Sequence, residues 1–274
     1  MRPSVTSLEV IRCRTLDEAL SALHEHAGAA VPLAGCTDLY VALNAGALAA
    51  TRFVDIWPLD ELRGIALDEG TLRLGALSTY RDVMASPHVR THLPMLAEAS
   101  RQVGAAQIQQ RGTLGGNIVN ASPAGDTLPV FAAADAVVVL RSVRGERRVP
   151  FTGFYTGYRE SVRQADELVV RIDVPPVTGR QWFRKVGTRA AQAISKVVIA
   201  AVRGERPRIA LGSVAPVVIR ARRTEDALAS GAPVARAQDI LVEEISPIDD
   251  IRSTAAYRRQ VSRNLLARFW SDTA

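Results

Sequence analysis

The chain contains 274 residues, of which 47% are hydrophobic and 23% charged, so it fits one large or two ordinary globular domains and excludes disordered and fibrous classes. Its net charge of +6 comes from arginines scattered along the chain, and aromatic residues are only 5%, a distribution that argues against nucleic-acid binding. No segment has the roughly 20 apolar residues needed to cross a bilayer, and charged residues interrupt residues 1–14 where a secretion signal would be apolar, so we expect a soluble, cytoplasmic protein.

The first elements predict a small βαβ-like unit. Thr15 and Glu18 form a capping-box pattern at the start of a helix predicted over residues 15–29. A short apolar strand over residues 31–33 runs through a glycine-containing turn into an alanine-rich helix, and a second short strand follows at residues 53–56. Two strands with a helix between them are typical of such a unit.

The middle of the chain mixes strands and helices. Alternating apolar residues predict a strand over residues 71–77. Residues 93–103 predict a helix, with Pro94 in the first turn and Gly104 just past the end. A glycine-bearing loop at residues 111–117 precedes an apolar helix at 128–134, and two buried strands are predicted at 136–140 and 167–174.

Pro175 and Pro176 mark the predicted boundary between two domains. Beyond them the pattern indicates strands at residues 194–202 and 209–214, followed by helices. Residues 251–270 predict an amphipathic helix with an arginine-rich polar face. A helix of this kind lies on a membrane surface or packs against its own domain. Packing is commoner, so we favour it.

The sequence excludes several kinds of site. Neither of its two lysines, Lys185 and Lys196, precedes Ser or Thr as a P-loop requires, and no G-x-G-x-x-G or G-x-S-x-G motif occurs. Two cysteines cannot supply the four thiolates of an iron–sulfur cluster. His88 and His92 have the spacing of metal ligands, but no carboxylate lies between them, and surface histidines are the favoured interpretation.

The turn between the first predicted strand and helix has the composition of a phosphate-binding loop. Small residues let backbone N–H groups approach a phosphate, and Thr37 adds a hydroxyl donor. Many strand–helix turns carry glycine for steric reasons only, so that alternative stays open. The candidate cofactor-binding residues here are Leu33, Ala34, Gly35, Cys36, Thr37, Asp38 and Leu39.

A second candidate segment, residues 111–120, holds three glycines and two asparagines and runs on to Asp126. Paired glycines allow backbone geometries closed to other residues, and asparagine side chains both donate and accept hydrogen bonds. The alternative is a turn-rich loop that caps the following helix. Together the two segments suit a large phosphate-containing cofactor better than hydrolysis. The candidates here are Thr113, Leu114, Gly115, Gly116, Asn117, Asn120 and Asp126.

These segments also carry a family resemblance. The chain resembles the FAD-binding medium subunits of molybdenum hydroxylases, the flavoproteins of xanthine dehydrogenase and carbon monoxide dehydrogenase type enzymes. The family motif Ala-Gly-Gly-Thr/His-Asp/Ser-Leu is met by residues 34–39, and Thr-Ile/Leu-Gly-Gly-Asn is met by residues 113–117. The match extends to residues 72–77, 121–123, 126, 209–216 and 257–259, so it covers nearly the whole chain in order.

The resemblance implies an α+β fold. A FAD-binding domain of the PCMH type, residues 1–175, would consist of two α+β subdomains at about residues 1–57 and 58–175. A smaller C-terminal domain of antiparallel sheet and helices would occupy residues 176–274. FAD would lie non-covalently between the subdomains, with its pyrophosphate on the two glycine motifs.

The resemblance further implies that Asp126 and Lys185 approach the cofactor. A compact ammonium group there would stabilise a reduced, anionic flavin in a way that a bulkier arginine would not. The alternative, a surface lysine, stays open.

Cys36 stands where the family has its second glycine. If the backbone there is left-handed, a non-glycine residue costs about 1–2 kcal/mol, and we interpret Cys36 as a tolerated substitution. A thiol at a helix N-terminus would also have a lowered pKa.

By the same resemblance the protein is an oxidoreductase subunit that transfers electrons and has no catalytic or metal-ligating residue of its own. A large subunit would hold the molybdenum cofactor and a small subunit 2Fe–2S clusters, in a dimer of heterotrimers. Electrons would pass from the clusters to FAD and then to an acceptor such as NAD, oxygen or a quinone. A stand-alone flavin oxidoreductase and a non-catalytic flavin-fold assembly factor are the alternatives.

Overall fold

The computed structural model describes residues 8–274, so the first seven residues of the predicted first subdomain lie outside the described residues. The chain has an α+β fold, in which three sheets of three, five and four strands are connected and covered by helices.

The first sheet is parallel, with strand order β1-β3-β2. Its strands are β1 (Glu9–Arg12), β2 (Ala30–Leu33) and β3 (Arg52–Asp55). Parallel neighbours require a crossover connection, which α1 (Leu16–Glu25) supplies after β1 and α2 (Leu39–Asn44) supplies between β2 and β3. The predicted βαβ-like unit is therefore confirmed.

Only half of the predicted capping box forms at the start of α1. The Thr15 hydroxyl accepts a hydrogen bond from the backbone N–H of Glu18 at 3.2 Å. The Glu18 carboxylate accepts from the N–H of Arg14 at 2.7 Å instead of from Thr15. The Glu18 carboxylate therefore binds the backbone N–H one residue before the N–H that a capping box uses.

The second sheet is antiparallel and has the strand order β4-β5-β10-β6-β7. Its strands are β4 (Ile65–Asp68), β5 (Thr71–Gly75), β6 (Val137–Ser142), β7 (Gly145–Pro150) and β10 (Leu168–Val174). A small hairpin of β8 (Tyr155–Gly157) and β9 (Glu160–Ser161) precedes β10. Single 3-10 turns occupy Asp60–Leu62 and Phe151–Gly153.

Six helices connect β5 to β6. They are α3 (Tyr80–Ala85), α4 (Pro87–His92), α5 (Pro94–Arg101), α6 (Ala106–Arg111), α7 (Leu114–Asn120) and α8 (Leu128–Ala133). The predicted glycine-bearing loop is wrong in part, because α7 contains both Gly115 and Gly116. Glycine disfavours a helix interior, but tertiary hydrogen bonds hold this one in place: the N–H groups of Leu114 and Gly115 donate to Ser78 and Ala76.

The third sheet has the antiparallel order β11-β12-β13-β14. Its strands are β11 (Arg180–Val186), β12 (Val197–Arg203), β13 (Arg208–Gly212) and β14 (Ile219–Arg220). Alternate residues point to opposite faces, so Phe183 and Val198 join the core of the second sheet, whereas Trp182 and Val197 face the C-terminal helices. These helices are α9 (Arg222–Ala229), α10 (Val234–Glu244) and α11 (Ala255–Asp272).

The terminal helix packs against the third sheet, as favoured from the sequence. In α11 the side chains of Leu265, Leu266 and Phe269 are buried in the same cluster as Trp182. Arg258 is also buried, and it donates hydrogen bonds to the Ser213 carbonyl and the Asp250 carboxylate. The apolar face of α11 is therefore covered by protein.

Candidate functional site

The first motif lies between β2 and α2 and presses against the second motif. A β-carbon on Gly35 would lie 1.7 Å from the carbonyl oxygen of Arg111, the last residue of α6. No side chain fits at that distance, so glycine is required for the two segments to meet. Glycine is therefore required at position 35 for steric reasons. The contact with Arg111 also brings the first motif against the segment that carries the second motif.

Cys36 adopts the left-handed conformation, with a φ of +64°. The backbone penalty expected for a left-handed Cys36 therefore applies, and it is about 1–2 kcal/mol for a residue with a β-carbon. The expectation of a lowered thiol pKa is wrong: burial raises the pKa of Cys36, and the nearby Arg111 guanidinium only partly offsets that effect. The thiol lies 3.5 Å from the Ala34 carbonyl oxygen.

The second motif forms the capped first turn of α7. The Thr113 hydroxyl accepts a hydrogen bond from the N–H of Gly116 at 3.1 Å, the geometry of an N-cap. A β-carbon on Gly115 would lie 2.8 Å from the β-carbon of Ala76, at the end of β5, and one on Gly116 would lie 2.8 Å from the Thr113 hydroxyl. The two glycines therefore let α7 pack closely and keep its cap.

A polar bridge joins the two motifs across the cleft. Asn120, the last residue of α7, donates from its side-chain amide to the Asp38 carboxylate at 3.1 Å. Arg159, in the turn between β8 and β9, donates to the amide oxygen of Asn120 at 2.9 Å. The bridge shows that the residues predicted separately from the two motifs share one site.

A first cavity of about 440 Å³ lies beside this bridge. Its walls come from the first sheet, α2, the start of α7 and β10. Most of the predicted residues line it, namely Ala34, Gly35, Cys36, Thr37, Asp38, Leu39, Thr113, Gly115, Gly116, Asn117 and Asn120. Leu33 and Leu114 are absent from its lining, and Leu114 is fully buried in the core.

A second cavity of about 730 Å³ continues from the first toward the third sheet. The two cavities share Thr37, Asp38, Tyr80, Asn117, Asn120 and Arg159, so they form one elongated cleft. On its far side the second cavity is lined by Ser195, Ser213 and Arg258. The cleft therefore runs from the N-terminal sheet to the C-terminal part of the chain.

Asp126 lines the second cavity and forms a buried ion pair with Lys185. The Asp126 Oδ2 lies 2.6 Å from the Lys185 Nζ, which also donates to the Gln102 carbonyl at 3.0 Å. Only 6% of the Lys185 side chain is exposed, so the alternative of a surface lysine is wrong. Lys185 contacts Asp126 but does not itself line either cavity.

Two residues of the cleft were not predicted from the sequence. Tyr80 is buried against Gly112 and lines both cavities. The Thr79–Asp82 capping box marks the start of its helix α3, but nothing in the sequence marks Tyr80 as a cleft residue. Arg159 belongs to a scattered set of arginines, and nothing in its neighbourhood sets it apart. Both come close to the motifs only through the tertiary fold.

The cleft fits a dinucleotide cofactor. Its length is divided between two connected cavities, and the tightly apposed segments around Gly35 and Gly112 line the first cavity beside the place where the two join. Hydroxyl, amide and guanidinium donors from Thr37, Asn117 and Arg159 line both cavities, which suits a phosphate-bearing ligand. Within residues 8–274 no group of three or more His, Cys, Asp or Glu side chains is arranged to hold a metal ion. Across the same residues, no helix combines the length and apolar character of a membrane span.

Sequence comparison matches nearly the whole chain to two families. Residues 6–177 match the FAD binding domain in molybdopterin dehydrogenase, and residues 182–273 match the CO dehydrogenase flavoprotein C-terminal domain. The nicotinate dehydrogenase FAD-subunit of Eubacterium barkeri is 38% identical over 192 residues, 67% of this chain and 64% of that protein. The glyceraldehyde dehydrogenase medium chain of Sulfolobus acidocaldarius is 30% identical over 278 residues, 96% of this chain and 97% of its relative.

A solved structure agrees with these matches. A chain of carbon monoxide dehydrogenase from Hydrogenophaga pseudoflava, in a form lacking the Mo-pyranopterin moiety of the molybdenum cofactor, superposes with a TM-score of 0.92 at 29% identity. The superposition covers 100% of both chains.

Proposed function

The chain belongs to the family of FAD-binding medium subunits of molybdenum hydroxylase-type dehydrogenases, and from this premise we propose that it relays electrons within such a complex. A partner with a molybdenum cofactor oxidises the substrate, and a partner with 2Fe–2S clusters delivers the electrons to FAD on this chain. The flavin supplies the redox chemistry when bound, and the protein binds and orients it. FAD then passes the electrons to an acceptor.

The elongated cleft carries this proposal. We propose that FAD occupies both cavities, with its pyrophosphate at their junction, where Thr37, Asn117 and Asn120 line both. The contact between Gly35 and the Arg111 carbonyl keeps the segments of the two motifs together beside this junction. The remaining candidates then divide by role. Leu114 supports the second motif from the core, half-buried Leu33 supports the first motif from β2, and Asp126, paired with Lys185, lines the second cavity.

An apolar rim at the second cavity supports docking of an electron donor. Tyr158, Ile194 and Ile248 line this cavity and are 61%, 53% and 67% exposed. Ile251, between the lining residues Asp250 and Arg252, is 97% exposed. Large apolar side chains concentrated at the mouth of a site are typical of a protein interface. Two cysteines in the chain cannot ligate a 2Fe–2S cluster, which needs four ligands, so we place the donor cluster on a partner.

We also propose domain limits and an assembly. The FAD-binding domain extends over residues 1–175, with subdomains meeting near residue 57, and the C-terminal domain over residues 176–274. Large, medium and small subunits then form heterotrimers that pair into a dimer of heterotrimers.

FAD binding is the first test. The purified chain should bind one FAD non-covalently, released by acid or heat, with FMN as the control ligand. FMN lacks the pyrophosphate, so it should bind at least tenfold more weakly in a fluorescence titration, a difference of about 1.4 kcal/mol. A folded chain that binds neither flavin would overturn the proposal.

Gly35→Ala tests the junction of the motifs. The added β-carbon would overlap the Arg111 carbonyl, so the two backbones must separate, and FAD affinity should fall at least tenfold. Gly153→Ala is the matched control, because Gly153 has open space around its β-carbon position and lies outside both cavities. Circular dichroism checks that both variants fold. Equal FAD affinity in the two variants would contradict a role for the contact.

The relay itself is tested in the complex. After co-expression with the large and small subunits, substrate should bleach the flavin absorbance in stopped-flow measurements of the complex. The isolated, FAD-loaded chain should show no bleaching with the same substrate. Equally fast bleaching in the isolated chain would favour a stand-alone oxidoreductase.

A further inference from the structure

Asp126 is an unusual carboxylate for a protein interior. One of its oxygens, Oδ2, is paired with Lys185, but the other, Oδ1, is buried without a hydrogen-bond partner among the described residues. An ionised carboxylate accepts up to about four hydrogen bonds, and leaving one oxygen unsatisfied in a buried position is costly. Buried polar groups without partners are rare in proteins, which makes this one a candidate for a functional role.

The position of Asp126 links it to the cofactor site. Asp126 lines the second cavity, and Lys185 holds it from the side of β11. The other ionisable groups that line this cavity are Tyr80 on α3, whose pKa the Asp126 charge helps to raise, Asp38 in the first motif, Tyr158 and Arg159 between β8 and β9, and Asp250, Arg252 and Arg258 across the cavity. Lys185 is the cation in direct contact with Asp126, whereas Arg252 and Arg258 pair with Asp250 and Arg159 donates to Asn120.

The environment makes the ionised form of Asp126 less favourable than it is in water. Burial raises the pKa of Asp126 to about 6, although the Lys185 ammonium acts to lower it. The carboxyl therefore changes its protonation state close to neutral pH, where small changes in local charge are sufficient to shift it. Added negative charge in the adjoining cavity raises the pKa of such a carboxyl further.

We propose that Asp126 takes up one proton from solvent when the cofactor in the adjoining cavity is reduced. This inference rests on the proposed FAD site. Two electrons from the partner's iron–sulfur centres and one solvent proton would give an anionic reduced flavin, and a second solvent proton forms an O–H bond on the Asp126 carboxylate. Asp126 is then neutral and Lys185 stays charged, so the ammonium offsets the charge on the reduced flavin. On reoxidation the proton returns to solvent.

The proton count per two electrons tests the proposal. The midpoint potential of bound FAD is measured from pH 5 to 8 by mediated electrochemical titration in the wild type and in Asp126→Asn. Above pH 6 the wild type should take up one proton more than the variant. Its potential should therefore fall more steeply by about 30 mV per pH unit, the value of a tenfold change for two electrons. Below pH 6 the slopes should agree, because Asp126 is already protonated.

Asp60→Asn is the matched control, since the Asp60 side chain is 97% exposed and lies outside both cavities. Its slope should equal that of the wild type. Lys185→Gln keeps the carboxyl but removes the ammonium that lowers its pKa, so the extra proton uptake should begin at a higher pH. Identical slopes in wild type and Asp126→Asn above pH 6 would overturn the proposal.

A measurement on the wild type keeps the test decisive if the variants lose FAD. Reduced-minus-oxidised infrared difference spectra at pH 7.5 should show the C=O stretch of a newly protonated carboxylic acid. Absence of that band in a chain that binds FAD rejects the role of Asp126 and leaves the proposed cofactor site intact. A wild-type chain that binds no FAD would instead reject the proposed function.

Discussion

At the scale of single residues, Cys36 is the clearest departure from the pattern of the first motif. Its left-handed backbone lies in the loop that forms the wall of the first cavity. The resemblance placed a glycine at this position, and the structure explains why, because glycine alone adopts this conformation without a steric penalty. The thiol makes one weak contact, with the Ala34 carbonyl, and its pKa is raised by burial.

Cys36→Gly should therefore stabilise the protein. Relief of the left-handed strain, about 1–2 kcal/mol, exceeds the extra unfolded-state entropy of glycine, about 0.5–1 kcal/mol. We expect the free energy of unfolding in urea to rise by about 1 kcal/mol or less. Cys36→Ala is the control, because it keeps the β-carbon and its strain while removing the thiol. If the two variants shift stability equally, the backbone is not the cause.

The cleft residues also show the limit of sequence reasoning at this scale. The residues of both motifs were predictable because glycine, threonine and asparagine in short runs indicate backbone-rich loops. The resemblance implied that Asp126 and Lys185 approach the same cofactor, but not that they pair with each other across 59 residues of chain. Arg159, 39 residues beyond Asn120, was not predicted at all. Only the fold determines that these side chains meet.

At the scale of elements, periodic segments were predictable and glycine-rich ones were not. Strands β5, β6, β10, β12 and β13 and helix α11 lie where apolar periodicity placed them, with ends shifted by a few residues. Helix α7 was missed because its Gly115 and Gly116 have low helix propensity. Its stability comes from the Thr113 cap and from hydrogen bonds to residues after β5, which a local pattern cannot show.

Helix α2 lies against the first cavity and has little protein around it. Isolated helices shorter than about 12 residues are marginal in water, and this six-residue helix has no buried residue. Tyr40 and Val41 face solvent, whereas Leu39 and Ala42 line the first cavity. The inward face of α2 therefore has the cavity, and not protein, as its main neighbour.

FAD should consequently slow amide hydrogen exchange in α2. If opening of α2 releases FAD, ligand at 100 times its Kd adds about 2.7 kcal/mol to the opening free energy, which corresponds to a roughly 100-fold slower exchange. Helix α10 is the internal control, because none of its residues lines either cavity. Its local exchange should stay unchanged. Unaltered exchange in α2 at saturating FAD would show that the helix is held by protein alone.

At the scale of the whole molecule, the apolar core crosses the predicted domain boundary at residue 175. The cluster that fills the second sheet includes α8, which is buried along its full length, together with Phe183, Val198 and Ala200 from the third sheet. Asp135 at the end of α8 adds ion pairs with Arg208 and Arg220. The proline pair predicted a domain boundary, but the core is shared by the parts of the chain before and after residue 175, so we expect their stabilities to be coupled.

The two sides should therefore unfold together. Trp57→Phe leaves Trp182 and Trp270 as the fluorescent tryptophans, and both lie in the C-terminal part of the fold, where Trp182 is packed against Phe269. Urea unfolding of this variant, followed by tryptophan fluorescence, reports that part, while far-ultraviolet circular dichroism reports the whole chain. A shared core predicts coincident transitions, the mark of two-state unfolding. Calorimetry of the wild type should likewise give one peak with equal calorimetric and van't Hoff enthalpies. If the fluorescence transition comes first, the C-terminal part is an independent unit and the shared core does not couple the two sides.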